Sequence, residues 1–275
     1  MIVKDLMSAD AIRGRLTARV VGRQLYLLGE VDSTNARLRA LARAGAADGT
    51  VVLAEGQTEG RGRRGQPWFS PSGVNLYASV LFRPELAARD AGVFSFIASL
   101  ALTDAIRTLG LVATIKWPND ILVDGRKVGG ALTECAAVGD VIDHVIVGVG
   151  VNVNVDLAVL RSALGASGTY ATSLSAVAGR ELDRNAFAAA FLNALDAWYD
   201  TWRSSGPEPI LQAWNDRDIL TGRRVEVRVA GDAPGQPGEA LVGRVVGISP
   251  AGRLLVQDML GHVRALTAEE VRPID

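Results

Sequence analysis

Between an apolar run at Thr50–Ala54 and a second at Asn75–Phe82, the chain carries Gly60-Arg61-Gly62-Arg63-Arg64-Gly65-Gln66-Pro67-Trp68-Phe69-Ser70-Pro71. Both flanking runs read as short strands, so a loop dense in glycine and arginine must join them. Its glycines permit tight bends and close backbone approach to a ligand. Its arginines carry planar donors that match carboxylate or phosphate. The pattern points to a mobile loop that closes over an anionic ligand. A solvated loop or a weak nucleic-acid contact would use the same residue types.

Charge separates these readings. The chain has 275 residues, 29 basic and 30 acidic, for a formal net charge of −1. A protein with no global basic field is poorly suited to holding a nucleic-acid backbone. The cations are instead local, with Lys116, Arg126 and Lys127 joining Arg61, Arg63 and Arg64 in or beside the motifs. A small anionic ligand fits this better than a polymer. With 48% hydrophobic residues, the chain can build one sizeable core plus a small second domain. Its single cysteine, Cys135, excludes an intrachain disulfide and suits a reducing cytoplasm. Lying in an apolar strand-like segment, Cys135 reads as a small buried hydrophobe rather than a nucleophile. His144 and His262 lack ligand-like spacing, so no Cys/His metal site is expected. Met1–Asp10 lacks the features of a signal peptide, and no apolar run reaches the length of a membrane span. The expectation is a cytoplasmic protein with no membrane association.

Along the chain, residues 8–20 are expected to form a short helix, followed by a strand at Gln24–Leu28. Asp32-Ser33-Thr34 offers caps for a helix that carries Leu38 and Leu41 and ends at Gly45. A helix from about 90 to 109 has Asp104 as the one polar residue on its apolar stripe. Val112–Lys116 reads as a strand running into Trp117-Pro118. Ile121–Val123 and Lys127–Ala136 flank Asp124-Gly125 as a hairpin, and Val141–Val149 is the next strand. A short helix at Ser173–Ala178 precedes a long one, whose face from Phe187 to Trp202 reads as core. After a break at Gly206-Pro207-Glu208-Pro209, alternation begins at Val225, with turns at Pro234–Gly238 and Ser249–Gly252. A small β-barrel is expected there.

In chain order, Asp32-Ser33-Thr34-Asn35, the Arg/Gly loop, Lys116-Trp117-Pro118-Asn119-Asp120, Lys127-Val128-Gly129-Gly130-Ala131-Leu132 and Gly148-Val149-Gly150-Val151-Asn152-Val153-Asn154 resemble the catalytic domain of biotin protein ligases. The resemblance runs from about Glu30 to Asn154, with looser support to the C-terminus. It implies an α/β (α+β) fold: a mixed-sheet, class II synthetase-like catalytic domain over 1–220, then an SH3-like β-barrel over 221–275. The implied activity uses ATP and Mg²⁺ to form biotinyl-5′-AMP, then moves biotin to a lysine of a biotin carboxyl carrier protein, such as that of acetyl-CoA carboxylase. Such chemistry needs cations, backbone amides and water exclusion rather than a protein nucleophile.

The resemblance also assigns roles. Ser33, Thr34 and Asn35 would hold the ureido head of biotin, though a Ser-Thr pair at a helix start also serves as a cap, and Gln57 would contact biotin. Arg61, Gly62 and Arg63 would form the ligand-contacting loop, with Arg63 bridging the biotin carboxylate and the α-phosphate. Arg64 would steady the loop or phosphates, and Trp68 would pack on adenine or anchor the loop to the core. Lys116 would serve phosphate, and Asn119 phosphate or hydrated Mg²⁺. Asp120 would hold the Trp-Pro bend through backbone amides. Lys127 would reach the carboxylate and α-phosphate, beside Gly129 and Gly130, which allow close approach. Asn152 would lie near the adenosine. Arg63, Lys116 and Lys127 are thus the catalytic candidates. Gln66 stands where the family often has a basic residue.

Only about thirty residues precede Asp32, where a winged helix needs roughly twice that, so no sequence-specific DNA binding is expected. Monomer and homodimer both occur in the family. Lipoate or octanoate ligation is the enzymatic rival, sharing the fold, and a non-catalytic RNA- or protein-binding module is the rival from another class.

Overall fold

The computed structural model describes residues 6–229, 240–266 and 268–274. Its larger sheet has seven strands: β1 (Leu25–Val31), β2 (Val51–Gln57), β3 (Leu76–Phe82), β4 (Ala113–Lys116), β5 (Asp120–Val123), β6 (Arg126–Val138) and β7 (Val141–Val151). Their spatial order is β1-β2-β3-β7-β6-β5-β4. β1 and β2 run parallel and every other neighbouring pair antiparallel, which makes the sheet mixed. Asp124 (φ 49°) and Gly125 (φ 70°) both adopt positive φ between β5 and β6. A two-residue hairpin turn of this kind matches the twist of its strands, and it appears where the Asp-Gly pair implied it.

Side-chain alternation gives the sheet two different faces. On one face, Leu76, Ala78, Val80 and Phe82 of β3 join Val145, Val147, Val149 and Val151 of β7 in the main core. That core is covered by α3 (Val93–Arg107) and α6 (Arg184–Ser205). The aromatic face of α6 enters it: Tyr199 lies 4.4 Å from Phe82, and Trp202 lies 5.3 Å from Phe94. Asp104 on α3 accepts from Trp198 Nε1 at 2.7 Å and pairs with Arg217 at 3.0 Å, which accounts for a carboxylate on that stripe. The opposite face carries α2 (Thr34–Arg43), whose Leu38 and Ala42 pack on Val52, Leu81 and Ile146. α2 covers only part of this face, and the remainder is open.

Four local expectations are corrected. The first helix is only α1 (Ala9–Arg13), followed by turns. Ser33 occupies the N-cap position of α2 but makes no side-chain cap bond. Cys135 is exposed, not buried. It lies in the distal part of the 13-residue β6, where Cys135, Ala137 and Val138 all reach solvent. Asp120 does not hold the Trp-Pro bend by amide bonds; its Oδ1 lies 2.5 Å from Lys127 Nζ. The Trp117–Pro118 peptide itself is cis.

Past α7 (Glu208–Asn215), the chain forms a five-stranded antiparallel sheet of order β11-β10-β9-β8-β12. Its strands are β8 (Arg224–Val229), β9 (Ala240–Ile248), β10 (Leu254–Gln257), β11 (Val263–Leu266) and β12 (Ala268–Pro273). The turn expected at Ser249–Gly252 closes with Gly252 N–H donating to Ser249 O at 2.9 Å. The turn expected at Pro234–Gly238 lies outside the described residues. Among the described residues, no helix is long and apolar enough to cross a membrane.

Candidate active site

The open part of the second sheet face forms the floor of a cavity of about 1330 Å³. Three strands show how the sequence opens it. Ser79 pairs with Gly148 and Leu132 with Gly148 on its other side, while Tyr77 and Gly130 flank Gly150. The alternation that makes Val147, Val149 and Val151 core therefore turns Gly148 and Gly150 toward the cavity. A Cβ at Gly148 would overlap the Asn35 amide, and one at Gly150 would overlap the Trp68 indole. These glycines are needed for space beneath two site residues, and neither belongs to a dinucleotide-binding turn.

One end of the cavity is a polar network at the start of α2. Gln57 Oε1 accepts from Thr34 N at 2.9 Å and from Thr34 Oγ1 at 3.2 Å. Gln57 Nε2 donates to Ser70 Oγ at 3.1 Å, and Ser70 Oγ donates to Trp68 O at 2.9 Å. One side chain thus ties the helix start to the returning arm of the Arg/Gly loop. Ser79 Oγ, fully buried, stands 2.8 Å from Thr34 Oγ1 and donates to Asn35 Oδ1 at 2.6 Å. Asn35 Nδ2 in turn donates to Glu134 Oε2 at 2.7 Å.

The Arg/Gly loop folds back on itself. Gly62 N–H donates to Gln66 O at 2.7 Å, and Trp68 N–H to Gly60 O at 2.9 Å. Residues Arg63–Gly65 form one 3-10 turn, with Arg64 in the left-handed region at φ 56°. Arg61 pairs with Glu59 at 3.4 Å. Arg63 lies with its guanidinium 6.0 Å from the Trp117 ring. Burial, then the neighbouring charge of Arg64, pushes the Arg63 guanidinium below its usual range. Both effects disfavour the cation, so an incoming anion would relieve them.

The other end is cationic. β4 ends at Lys116, which faces the cavity with Trp117, Pro118 and Asn119. Lys127 on β6 pairs with Asp120 and lies 5.4 Å from the Trp68 ring. Asn119 Nδ2 donates to Ala131 O at 2.5 Å, so its amide is committed to fixing the β4–β5 bend. Asn152, buried beside them, donates through Nδ2 to Thr172 O at 3.1 Å. The Trp68 indole N–H has no hydrogen-bond partner, although it is buried. An unpaired buried donor in a cavity is a place where a ligand acceptor can gain free energy.

Every sequence-derived site residue lines this cavity except Gly129, and Gln66 lines it too. Gly129 pairs with Val151 on the core side of the sheet, where a Cβ would meet Gly150 O. The sequence reading missed one wall altogether. It is formed by α4 (Leu157–Leu164) and the 3-10 segment Gly165–Tyr170, which contribute Leu160, Leu164, Ser167 and Tyr170. A signal was present: Asp156 caps α4 through Ala158 N and Val159 N, with Leu157, Leu160 and Leu164 at helical spacing behind it. Arg39 and Glu134 were missed as well; both line the cavity and pair at 2.8 Å. Val271 and Pro273 bring the C-terminal sheet to its rim.

A pocket with a polar end, a cationic end and an arginine loop between them is shaped for an acid with a polar head and for a phosphate-bearing partner. The biotin/lipoate A/B protein ligase family matches residues 28–152. A bifunctional ligase/repressor of Bacillus spizizenii is 30% identical over 96% of this chain and 78% of its own length. A biotin–[acetyl-CoA-carboxylase] ligase of Mycobacterium tuberculosis is 34% identical over 90% of this chain and 88% of its own. Among solved structures, the biotin protein ligase of Aquifex aeolicus in complex with biotin and ATP is similar with a TM-score of 0.72. It has 26% identity and covers 91% of this chain and 99% of that one. Likeness in fold and in sequence along almost the whole length leads to one conclusion: the chain belongs to the biotin/lipoate A/B protein ligase family, among its biotin protein ligases.

Proposed function

We propose that the chain is an ATP-dependent biotin protein ligase working in the cytoplasm. The biotin carboxylate attacks the α-phosphorus of ATP, pyrophosphate leaves, and biotinyl-5′-AMP forms. The neutral amine of an acceptor lysine then attacks the acyl carbon, AMP leaves, and an amide joins biotin to a carboxyl carrier protein. The observation that carries this reading is the convergence of Arg63, Lys116 and Lys127 on a cavity whose other end is the Thr34–Asn35–Gln57 network.

Each group has work in that scheme. Ser33, Thr34, Asn35 and Gln57 receive the ureido head, with Arg61, Gly62 and Gly130 alongside it. Arg63 and Lys116 form no ion pair among the described residues and accept the charge of carboxylate and phosphate. Lys127, held in place by Asp120, presents its ammonium to the reacting oxygens. Fixed cations in a partly dry site stabilise charge developing at phosphorus without reorganising. Arg64, Trp68, Asn119 and Asn152 border the nucleotide, and the Trp68 N–H finds its acceptor there. Among the described residues, no three His, Cys, Asp or Glu side chains cluster as a metal set. These residues suit Mg²⁺ carried mainly by the nucleotide's phosphates, with Asp120 the carboxylate nearest the cationic end. The catalytic unit is taken to span 1–220, with the sheet of 221–275 closing one rim.

The test is pyrophosphate exchange into ATP with biotin, lipoate or octanoate as the acid. Exchange with biotin at low concentration, and little with the others, is the expected result. Exchange driven by lipoate and not by biotin would overturn the reading.

A further inference from the structure

We infer that Glu134 is a specificity-determining positioning residue. By fixing which way the Asn35 amide faces, it sets the polar end of the pocket for a cyclic urea and against a sulfur-ring acid of the lipoate class. This rests on the biotin reading proposed above, and it assigns a part to a residue that none of the motifs contains.

The geometry is specific. Asn35 is buried, and its amide is held on both sides, with Oδ1 2.6 Å from Ser79 Oγ and Nδ2 2.7 Å from Glu134 Oε2. An ionised carboxylate can only accept hydrogen bonds. Glu134 therefore demands the NH₂ side of Asn35 and leaves the carbonyl for Ser79. The hydroxyl alone could not decide this, because it can donate or accept. Arg39 Nη2 donates to both Glu134 oxygens, at 2.8 and 2.9 Å, which keeps the carboxylate in place. Gly148 completes the arrangement, since a Cβ there would occupy the amide's position.

The consequence for selectivity follows from counting donors. One N–H of Asn35 is used by Glu134, and its second remains to donate to a urea carbonyl. A flipped amide would present its oxygen to Glu134, setting two acceptors against each other. A site whose polar groups are pre-aimed rejects a ligand that cannot satisfy them, because those groups lose water and gain nothing. A dithiolane ring offers only weak acceptors. The same network that favours a urea therefore opposes lipoate.

The test uses the full-length protein with Glu134→Ala and Glu134→Gln. Glu134 is partly exposed, and thermal melts of both variants should stay near that of the parent. The first measurement needs no substrate: the Asn35 side-chain amide resonances in a ¹H–¹⁵N spectrum, assigned with Asn35→Asp. One Asn35 proton should lie downfield in the parent and move upfield in Glu134→Ala. An unmoved resonance would overturn the positioning role whatever acid the enzyme takes.

The second measurement is the acid dependence of pyrophosphate exchange. In Glu134→Ala the biotin KM should rise about tenfold to a hundredfold, the loss expected of one hydrogen bond to a charged group. The ATP KM and kcat should stay within about twofold, the preference for biotin over lipoate should narrow, and Glu134→Gln, whose amide can donate as well as accept, should recover only part of the biotin KM. Equal losses in the biotin and ATP parameters, or an unchanged acid preference, would overturn the specificity role. A parent enzyme that activates lipoate alone would defeat the biotin reading, while the spectrum would still judge the orientation of Asn35.

Discussion

Lys127 shows how much a single residue's role depends on what surrounds it. In sequence it is a lysine beside a turn; in the fold it is held by Asp120 on one side and roofed by Trp68 on the other. In the proposed reaction, replacing it with alanine removes a fixed cation from the phosphate. Lys127→Ala should slow adenylate formation about a hundredfold or more, the scale of one preorganised electrostatic contact. Single-turnover pyrophosphate release reads this directly, and an unchanged rate would remove Lys127 from the chemistry. Gly150 makes a complementary case. A Cβ there would collide with the Trp68 indole, so Gly150→Ala should displace Trp68 from the nucleotide end. The ATP KM should rise about tenfold, as for loss of roughly one good contact, with the biotin KM little changed. A rise confined to biotin would place Trp68 at the wrong end of the cavity.

Elements hold these residues through polar ties that burial makes costly to break. Arg184 at the start of α6 pairs with Glu55 of β2 at 2.8 Å, with both side chains almost fully buried. Glu55 Oε1 also accepts from Met7 N at 2.6 Å, so one carboxylate joins the N-terminal segment, the sheet and the long helix. Arg184→Met leaves that carboxylate buried without its cation and should destabilise the protein by about 3–5 kcal/mol in urea unfolding. A loss under about 1 kcal/mol, typical of an exposed pair, would mean that solvent already reaches Glu55.

The sequence revealed the strands, the Asp-Gly hairpin and the core face of α6, because each follows from period or turn chemistry. It also named the cations that line the cavity, which sit in short motifs. Partner choice was hidden. Asp120 belongs to the same motif as Lys116, yet it pairs with Lys127 across the β5–β6 hairpin. Glu134 has no motif, and it meets Arg39 only because α2, packed over β2, β3 and β7, brings that side chain within reach of the neighbouring β6. Cys135 looked apolar by its neighbours, but burial depends on how far the covering layer extends along β6. The α4 wall was readable from the Asp156 cap and leucine spacing; its bearing on the site was not, since that comes from tertiary placement alone.

At the scale of the molecule, the mixed sheet separates two tasks: one face is packed for stability, and the other is left open by glycines for ligands. The Arg/Gly loop and the C-terminal sheet border the open face. Burial disfavours the Arg63 cation there and the charge of Arg64 adds to the cost, so bound anions should favour the closed loop. Amide hydrogen exchange over residues 59–69 should slow when biotin and ATP are added together. Equal protection with and without ligands would indicate a preformed site and remove loop closure from the mechanism.

The most direct measurement is transfer itself. The purified protein, ATP, Mg²⁺ and biotin are incubated with a biotin carboxyl carrier domain, and the products are read by intact-protein and peptide mass spectrometry. The account predicts one biotinyl group on one lysine of the carrier, strictly dependent on ATP and released together with AMP and pyrophosphate. A carrier left unmodified while a lipoyl domain is lipoylated under the same conditions would contradict it.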